Sequence, residues 1–551
     1  MNIVIRKMVG VMRTKGRHIG LPLLITLLIV GCGEQGRAGK GSDDLISTTD
    51  LGTTIGSLAE VSWPESIRLE GYSLVVGLRG TGSAECPPQI RAYLAKYILT
   101  QFPGRKMSVR RFISGLDTAI VLVEGIMPAV ASRNEHFDVR VTALPGTQTT
   151  SLEGGWLLDT ELKTVGTFGI TTKVIAEAKG PVFIDKIGTS DLSDKSEINK
   201  RAGYVLAGGR VLDEYKVTLV LGEPDFRNIN SIRNRLNELF GDGTAKPVLY
   251  GRLDVIVPAK YRDQKQRFIS IMKATYLTHS TEIIRERIKI FIRKLASSQD
   301  AYASEIALEA IGNQSLGGLS VLLNVSNEQV RLRAARCMLN LGGDAGLTTL
   351  RQIAMDKGSA YRVEALESIT TGARRNDAAR ISQRLLRDDD SHIRLAAYEQ
   401  LRKLDDIAVT QERIAGNFYL EQIVQTPHKS IFVSRSGQPR IVLFGAPIRC
   451  SGGVFVRSAD GNITIDAPAG QEYVSITRKH PFRPGVIAQL KSSFEVGDII
   501  RTLCAKPLKK GERGRGGLGV TYADVIALLK RMCDKGAVKA EFWAGPLPKI
   551  G

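Results

Sequence analysis

Between residues 64 and 280, short apolar and β-branched runs alternate with glycine and proline punctuation and with a few helical patterns. Such runs predict strands, because β-branched side chains suit an extended, half-buried backbone. The residues at 90–99 and 229–239 instead follow a helical period. Predicted strands lie at residues 73–77, 119–123, 137–141 and 216–221. This part of the chain is therefore expected to have an α+β fold.

From about residue 281 to 409 the strand signals vanish and a helical repeat replaces them. Four segments align with alanine at the fifth position and a larger apolar residue at the ninth, namely Ala307 and Ile311, Ala334 and Met338, Ala365 and Ile369, Ala397 and Leu401. These offsets lie on one helical face, where a small residue lets neighbouring helices pack closely. The unit recurs every 27 to 32 residues, similar to HEAT-type repeats that stack into a solenoid. A generic helical bundle is the alternative.

Strand signals return after about residue 418 and predict a β-rich C-terminal part. The predicted strands are at residues 429–434, 440–444, 453–456 and 462–465. The whole chain is thus expected to be α+β, with an all-α solenoid between two mixed parts. The domain boundaries are drawn at 1–31, 32–63, 64–280, 281–409 and 410–551.

Residues 1–31 have the pattern of an export signal. Five basic residues precede an apolar run of about ten residues at 21–30, which is too short for a bilayer that needs roughly 20. The run ends in Val30, Gly31 and Cys32, which resembles a lipoprotein signal and predicts diacylglycerol on Cys32. An ordinary signal peptide with an incidental cysteine is the alternative. Gly33, rather than aspartate, follows Cys32 and favours the outer membrane, and residues 32–63 are expected to be a flexible tether.

The chain of 551 residues carries a formal charge of +20, of which five charges lie in the signal. A basic balance favours anionic partners, and export excludes nucleic acid among them. Lipid headgroups and cell-wall carboxylates remain, as does a solvated basic surface without a dedicated partner. The densest basic run, residues 506–515, is interpreted either as a contact to anionic groups of the cell wall or the lipid, or as a charged loop in solvent.

Residue patterns typical of enzymes and metal sites are sparse. The sequence has no HExxH, CxxC or GxSxG motif, and its glycine-rich stretch lacks the lysine of a phosphate-binding loop. Neither a catalytic site, a metal site nor a cofactor is predicted. The run Asp388 to Asp390 reads as a turn and helix cap between repeats. Apart from Cys32, five cysteines remain, and Cys504 and Cys533, which flank the last helical pair, are the predicted disulfide.

One glycine-rich motif connects these segments to a known family. Residues 71–82 read GYSLVVGLRGTG, and residues 151–162 read SLEGGWLLDTEL. Both resemble signatures of the bacterial flagellar P-ring proteins, as do the stretches at 119–144, 224–240, 253–261 and 518–542. The corresponding signature residues are Gly71, Tyr72, Gly77, Gly80, Thr81, Gly82, Gly154 and Gly155. Ser73, Arg79 and Ser83 depart from the usual pattern, in which glycine, asparagine and aspartate are common.

The resemblance implies a structural subunit, not an enzyme. Proteins of this family assemble as a periplasmic ring around the flagellar rod, together with the L ring, and serve motility. It implies a homo-oligomeric ring, rod and L-ring partners and contact with peptidoglycan, with membrane attachment through the lipid anchor only. The solenoid and the anchor depart from the family. The alternative is a lipid-anchored envelope adaptor that binds a protein or cell-wall partner through its repeats.

Overall fold

The computed structural model describes residues 51–62, 66–83, 85–101, 113–166, 173–187, 198–213, 216–480, 483–507 and 516–550. The predicted signal, Cys32 and most of the basic run at 506–515 lie outside these residues. From Leu51 to Gly551 the chain forms one compact unit. Its three sequence regions are therefore parts of one packed body.

A closed barrel of six antiparallel strands forms the first part. Its strands are β2 (Ile67–Val76), β3 (Thr118–Met127), β4 (His136–Ala143), β5 (Trp156–Thr164), β6 (Ala176–Pro181) and β7 (Ala202–Val211), in the order β2-β3-β4-β7-β6-β5. Alternate side chains such as Val75, Val121 and Val141 fill the interior. Leu74 and Ile120 point outward and are covered by the helix Pro88–Gln101. The predicted strands at 73–77, 119–123 and 137–141 are confirmed.

A second sheet of four antiparallel strands packs against three helices. The strands are β1 (Ala59–Ser62), β8 (Val217–Leu221), β9 (Ala245–Leu249) and β10 (Arg252–Val255), ordered β1-β8-β10-β9. The helices are α1 (Ile55–Leu58), α3 (Phe226–Phe240) and α4 (Lys265–Ala274), α2 being the helix on the barrel. Buried Ile232, Leu219 and Phe268 belong to their shared core. The predicted helix at 229–239 and strand at 216–221 are confirmed.

The prediction of a tether over residues 32–63 is wrong for its last part. Thr54 caps α1 with a reciprocal capping box, Ile55 is fully buried, and β1 pairs with β8. The polar composition of 33–63 suggested a linker, but Ile55, Ala59 and Val61 supply enough apolar surface to add a strand to the sheet. The folded part therefore begins before residue 54, not at residue 64.

Eight helices make up the helical region in the part of the chain that is described. They are α5 (Thr281–Ala296), α6 (Ala301–Ile311), α7 (Leu316–Leu322), α8 (Glu328–Asn340), α9 (Asp344–Met355), α10 (Arg362–Gly372), α11 (Arg375–Leu385) and α12 (Ser391–Lys403). Helices α6, α8, α10 and α12 contact one another in series, and the others pack beside them. Every predicted alanine lies on one of these four helices and is buried. Met338, Ile369 and Leu401 are buried as well, while Ile311 is half-buried.

Because Ala334 is completely buried between packed helices, Ala334→Asp is expected to lower the free energy of unfolding by several kcal/mol through an unpaired buried charge. Ala345→Asp is the matched control, because Ala345 is exposed at the start of α9. Urea unfolding of the two variants measures the difference. Equal midpoints would mean that the alanine face is not packed.

A buried ionic network fixes the start of the helical region to α4. Glu305 of α6 is fully buried and accepts hydrogen bonds from Arg267 of α4 at 2.7 Å and from Arg336 of α8 at 2.7 Å. Arg336 also reaches Glu364 of α10 at 2.7 Å. Burial opposes the charge of Glu305, but the hydrogen bonds and charges of the arginines outweigh it and lower the pKa of the carboxyl. The network thus joins three stacked helices to the preceding sheet.

The lowered pKa of Glu305 predicts acid sensitivity. The stabilisation is present above the unfolded carboxyl pKa of about 4.3 and is lost as the pH falls towards the folded value. Glu305→Gln should cost roughly 3–5 kcal/mol at pH 7, as expected when a buried ion pair is broken, and should weaken the pH dependence below pH 5. Glu286→Gln, in an exposed pair with Lys289, should change stability by less than about 1 kcal/mol. The test is the unfolding free energy of the parent protein and of both variants, measured from pH 3 to 7. Parallel curves for Glu305→Gln and the parent protein would contradict this account.

The C-terminal part contains a five-stranded mixed sheet and a four-stranded antiparallel sheet. The first comprises β11 (Thr410–Ile414), β12 (Phe418–Ile423), β13 (Ser430–Val433), β14 (Arg440–Phe444) and β19 (Glu541–Ala544), in the order β11-β12-β14-β13-β19. The second comprises β15 (Val454–Arg457), β16 (Ile463–Ala467), β17 (Val474–His480) and β18 (Arg483–Ser492). Helices α13 (Val496–Cys504) and α14 (Tyr522–Asp534) complete it. All four strands predicted here are confirmed.

The two faces of the five-stranded sheet are buried against different partners. Leu420, Ile441 and Leu443 share a core with α13 and α14. The opposite face of the sheet shares a core with α10, α11 and α12. It carries Ile423, Phe432, Val442 and Phe444. Tyr398 of α12 donates a hydrogen bond to the buried carboxylate of Glu421. The helical region is therefore built into the fold at both of its ends.

Candidate functional site

The signature residues 77–83 form a tight turn at one end of the barrel, directly after β2. Gly77 and Gly80 adopt φ values of 81° and 94°, in the left-handed region that favours glycine. Arg79 between them also has a positive φ, of 50°. Leu78 is buried and its amide donates to the carbonyl of Asp117 at 3.0 Å. The turn is thus anchored at its centre by an apolar side chain.

Gly82 is required for another reason, namely space. A Cβ atom there would lie 2.0 Å from the carbonyl oxygen of Thr118 and 2.7 Å from that of Leu116. Its amide donates to the Leu116 carbonyl at 2.8 Å, and the amide of Ser83 donates to Thr118 at 2.9 Å. The backbone after the turn therefore runs against the start of β3 with no room for a side chain.

Thr81 joins the first signature to the second. Its hydroxyl lies 2.9 Å from the carbonyl of Leu78 and 2.8 Å from that of Ser151. Its own carbonyl accepts the amide of Thr150 at 2.9 Å. The two motifs, which are far apart in the sequence, are therefore neighbours in the structure.

Two glycines of the second signature fit against the first. Gly154 has a φ of 73° in a turn before β5. At Gly155 a Cβ atom would lie 2.3 Å from Cγ1 of Val75 and 2.7 Å from Cδ2 of Leu78. The Gly-Gly pair therefore lets the start of β5 approach the end of β2.

Gly71 and Tyr72 do not lie in this cluster of loops. They are in the middle of β2, where a Cβ atom on Gly71 would be 2.3 Å from the carbonyl of Glu161 on β5. Tyr72 packs with Leu74 and Leu94 on the outside of the barrel. Of the eight predicted signature residues, six meet at the barrel end and two belong to the wall.

Arg201 also lies at this end of the barrel, and the sequence patterns did not predict a role for it. Its guanidinium donates to the carbonyls of Thr147 at 2.9 Å, Thr149 at 2.7 Å and Leu144 at 3.1 Å. An arginine that caps three carbonyls of one loop fixes that loop's shape. No local pattern around Arg201 marks it, because its partners belong to a loop much earlier in the chain. We call the turn 77–83, the loop 144–155 and Arg201 the signature cluster.

The signature cluster is tied to the C-terminal part of the chain. The ammonium of Lys186 contacts the carboxylates of Glu153 in the cluster and Asp524 on α14. Burial opposes charge on Lys186, but the two carboxylates outweigh it and raise its pKa. Nearby, Asp138 of the barrel accepts the amide of Gly437 at 2.8 Å and the hydroxyl of Ser436 at 2.7 Å. The barrel and the C-terminal part are thus held together by partly buried polar contacts.

The predicted disulfide between Cys504 and Cys533 is wrong, because both residues are free thiols. A disulfide needs Cβ atoms roughly 3.5–4.5 Å apart, a condition that spacing along the sequence does not test. Burial raises the pKa of both thiols, to about 12 for Cys533. Such thiols are protonated at neutral pH and are poor nucleophiles.

The acidic run between α11 and α12 has the structural role that its sequence predicted. Asp390 caps α12 by accepting the amide of His392 at 2.8 Å. Asp388 is paired with the buried guanidinium of Arg362, and Asp389 with Lys357 at 2.6 Å. These carboxylates therefore stabilise the helical region.

The described residues contain neither a membrane-spanning helix nor a metal-binding cluster. No helix there is long and apolar enough to cross a membrane. No group of three or more histidine, cysteine, aspartate or glutamate side chains there is arranged to hold a metal ion. The best-defined feature of the described chain is the signature cluster, whose loops are held by close backbone contacts and by the hydrogen bonds of Arg201.

Comparison with known proteins gives this feature a context. Residues 54–290, which include the barrel, the second sheet and the signature cluster, match the sequence model of a family described as "Flagellar P-ring protein". A protein of that name from Desulfotalea psychrophila is 26% identical over 288 residues, covering 50% of this chain and 68% of the relative. Another from Thermotoga maritima is 30% identical over 217 residues, covering 37% and 61%. One from Albidiferax ferrireducens is 27% identical over 315 residues, covering 51% and 79%.

Several other relatives of the same name are covered over only 55% to 64% of their own length. The family match ends inside α5. The helical region beyond α5 and the C-terminal part lie outside it.

Proposed function

Because residues 54–290 belong to the flagellar P-ring protein family, we propose that this chain is a structural subunit of the flagellar basal-body P ring. The family is one of structural components, not of enzymes. The observation that carries the proposal is the signature cluster, whose glycines and Arg201 fix loop shapes at the end of the barrel. A rigid end of this kind suits a subunit that must repeat one geometry around a ring.

The proposed assembly is a closed periplasmic homo-oligomer around the distal rod. Its partners are the rod, the L-ring proteins and peptidoglycan, and it serves flagellum-dependent motility. A closed ring requires head-to-tail contacts between two different surfaces of one chain. The positive net charge that remains when the five basic residues of the signal are left out favours association with the anionic groups of the envelope.

The proposal is tested in cells that lack this chain and carry a tagged copy. The tagged chain should co-purify with isolated basal bodies, and cells without it should lose swimming. If the chain is absent from basal bodies and cells swim normally without it, the ring proposal is wrong. The alternative, a lipid-anchored envelope adaptor, would then be favoured. The adaptor would be expected to retain a partner that depends on residues 281–409.

We also propose that Cys32, which lies outside the described residues, carries a lipid and holds the mature chain at the outer membrane. Mass spectrometry of the mature N-terminus should show a diacylglyceryl group, and Cys32→Ser should move the chain to the soluble periplasmic fraction. Cys86→Ser is the matched control, since Cys86 lies beside α2 in the folded part. An unmodified N-terminus downstream of Cys32 would exclude the anchor.

A further inference from the structure

The hairpin that joins β9 to β10 ends in apolar side chains that face solvent. Val248, Leu249 and Tyr250 at its tip are 54%, 58% and 65% exposed. Tyr250 and Gly251 form the two-residue turn between the strands. The amide of Leu221 donates to the carbonyl of Gly251 at 2.8 Å and ties the turn to β8. The tip therefore has a fixed backbone and carries its apolar side chains in solvent.

An aromatic pair widens this surface. Phe226, at the start of α3, is 61% exposed, and its ring centroid lies 4.9 Å from that of Tyr250 in an edge-to-face arrangement. An aromatic side chain carries roughly 150–250 Å² of surface. With Val248 and Leu249, the exposed apolar surface therefore reaches the few hundred Å² typical of an interaction site. We call Phe226, Val248, Leu249 and Tyr250 the hairpin patch.

The backbone of β9 does not favour a partner strand. Lys246 and Pro247 are residue types that protect sheet edges from pairing. The register of the β9–β10 ladder also shifts between Arg252 and Leu253. An occupant of the hairpin patch is therefore expected to contact its side chains rather than its open edge.

The side chains around the hairpin patch are mainly basic. In residues 223–227 and 246–252, Arg227, Lys246 and Arg252 are exposed, and so is one carboxylate, Glu223. Asp225 is the N-cap of α3 and accepts the amide of Arg227 at 3.0 Å, so the positive end of the helix dipole offsets its charge. The apolar tip is thus bordered by a net positive charge.

Aromatic and aliphatic side chains bordered by arginine and lysine fit the interface of an anionic bilayer. The apolar groups enter the headgroup region, and the basic groups attract the lipid phosphates. The lipid proposed at Cys32 would hold the chain near such a surface. The 18 residues between Cys32 and Leu51 span less than about 70 Å. This limit is well above the width of the second sheet, whose edges β1 and β9 are roughly 14 Å apart at ordinary strand spacing.

We propose that the hairpin patch docks this chain on an anionic phospholipid bilayer. The contact is weak and reversible, because one hairpin tip buries far less apolar surface than acyl chains do. It therefore orients the anchored chain on the membrane and does not retain a chain without the lipid. The inference goes beyond the proposed function, since it concerns a single copy and does not depend on ring assembly.

The first test uses the full mature chain with Cys32→Ser, so that no lipid is attached. Vesicles of phosphatidylglycerol and phosphatidylethanolamine, at millimolar lipid, should carry part of the chain upward in a flotation gradient. Leu249→Ser combined with Tyr250→Ser should weaken this partitioning by roughly tenfold or more. The matched control is Val321→Ser combined with Tyr302→Ser, because these side chains are exposed in the helical region. Equal flotation of the tip variant and the parent would overturn the proposal.

Charge reversal tests the choice of an anionic lipid. In the same background, Arg227→Glu and Lys246→Glu should each weaken binding about fivefold, and phosphatidylcholine vesicles should bind the parent less. Arg293→Glu, at an exposed position on α5, is the control and should bind like the parent. Binding that neither reversal weakens would overturn an anionic lipid as the partner.

The depth of the tip in the bilayer gives a further readout. Tyr250→Trp keeps an aromatic ring at the tip, and brominated phosphatidylglycerol should quench its fluorescence beyond the quenching seen in the parent. No excess quenching on bound vesicles would overturn docking through the tip. A parent chain that does not bind anionic vesicles at all would also overturn the proposal and would favour a protein, such as a second copy, as the occupant of the hairpin patch.

Discussion

Gly82→Ala is expected to abolish the native barrel end and ring assembly together. The added Cβ atom would lie 2.0 Å from the carbonyl oxygen of Thr118, and a backbone carbonyl cannot turn aside as a side chain can. The cost should exceed the roughly 1–3 kcal/mol that an overpacked core side chain usually imposes. Thermal unfolding of the purified variant and swimming of complemented cells are the two measurements.

Gly80→Ala is the matched control for this prediction. Nothing lies within 4 Å of a Cβ atom at Gly80, so only its φ of 94° opposes substitution. Backbone strain of this kind costs roughly 1–3 kcal/mol, and Gly80→Ala should remain folded with a lower melting temperature. If Gly82→Ala were as stable as Gly80→Ala, the close approach between the turn and β3 would not be a real constraint.

Removal of residues 285–408 is expected to unfold the C-terminal part as well. The deletion would expose Ile423, Phe432, Val442 and Phe444, which are all buried against the repeat helices. Each such side chain stabilises the fold by roughly 1.5–3 kcal/mol when buried, so the loss is on the order of 6–12 kcal/mol and comparable to the whole stability of a domain. Far-ultraviolet circular dichroism and limited proteolysis of the deletion protein would measure it.

A rescue variant separates this cause from a general failure to fold. Replacement of the four exposed residues by threonine in the deletion protein should restore solubility and part of the sheet, because the face would then be compatible with water. A deletion protein that keeps both flanking parts cooperatively folded without the replacements would show that the repeats are an autonomous insertion.

Local patterns were sufficient to predict much of the fold. Alternating apolar runs predicted parts of β2, β3, β4 and β8, and the alanine period predicted the stacked faces at Ala334, Ala365 and Ala397. These features depend on side chains close in sequence, where a period of two or of 3.6 residues is visible. The α+β class with a helical stretch was correct for the same reason.

Features that depend on distant partners were missed. The strand β1 precedes all the barrel strands in the sequence and β8 follows them, so no local pattern predicts that the two strands pair. Arg201 likewise donates to carbonyls of a loop much earlier in the chain. The free state of Cys504 and Cys533 depends on how α13 and α14 pack, which the intervening sequence does not reveal. The packing of the repeats on the C-terminal sheet was missed as well, because the alternation in β12, β13 and β14 buries one face of that sheet against helices that come earlier in the sequence.

The central claim is that this chain forms a closed ring. The most direct test is electron microscopy of the purified mature chain and of basal bodies from cells that carry it. We expect annular particles with a fixed number of subunits, and the same ring around the rod in basal bodies. Monomers at every protein concentration, together with complete basal bodies in cells that lack the chain, would contradict the claim.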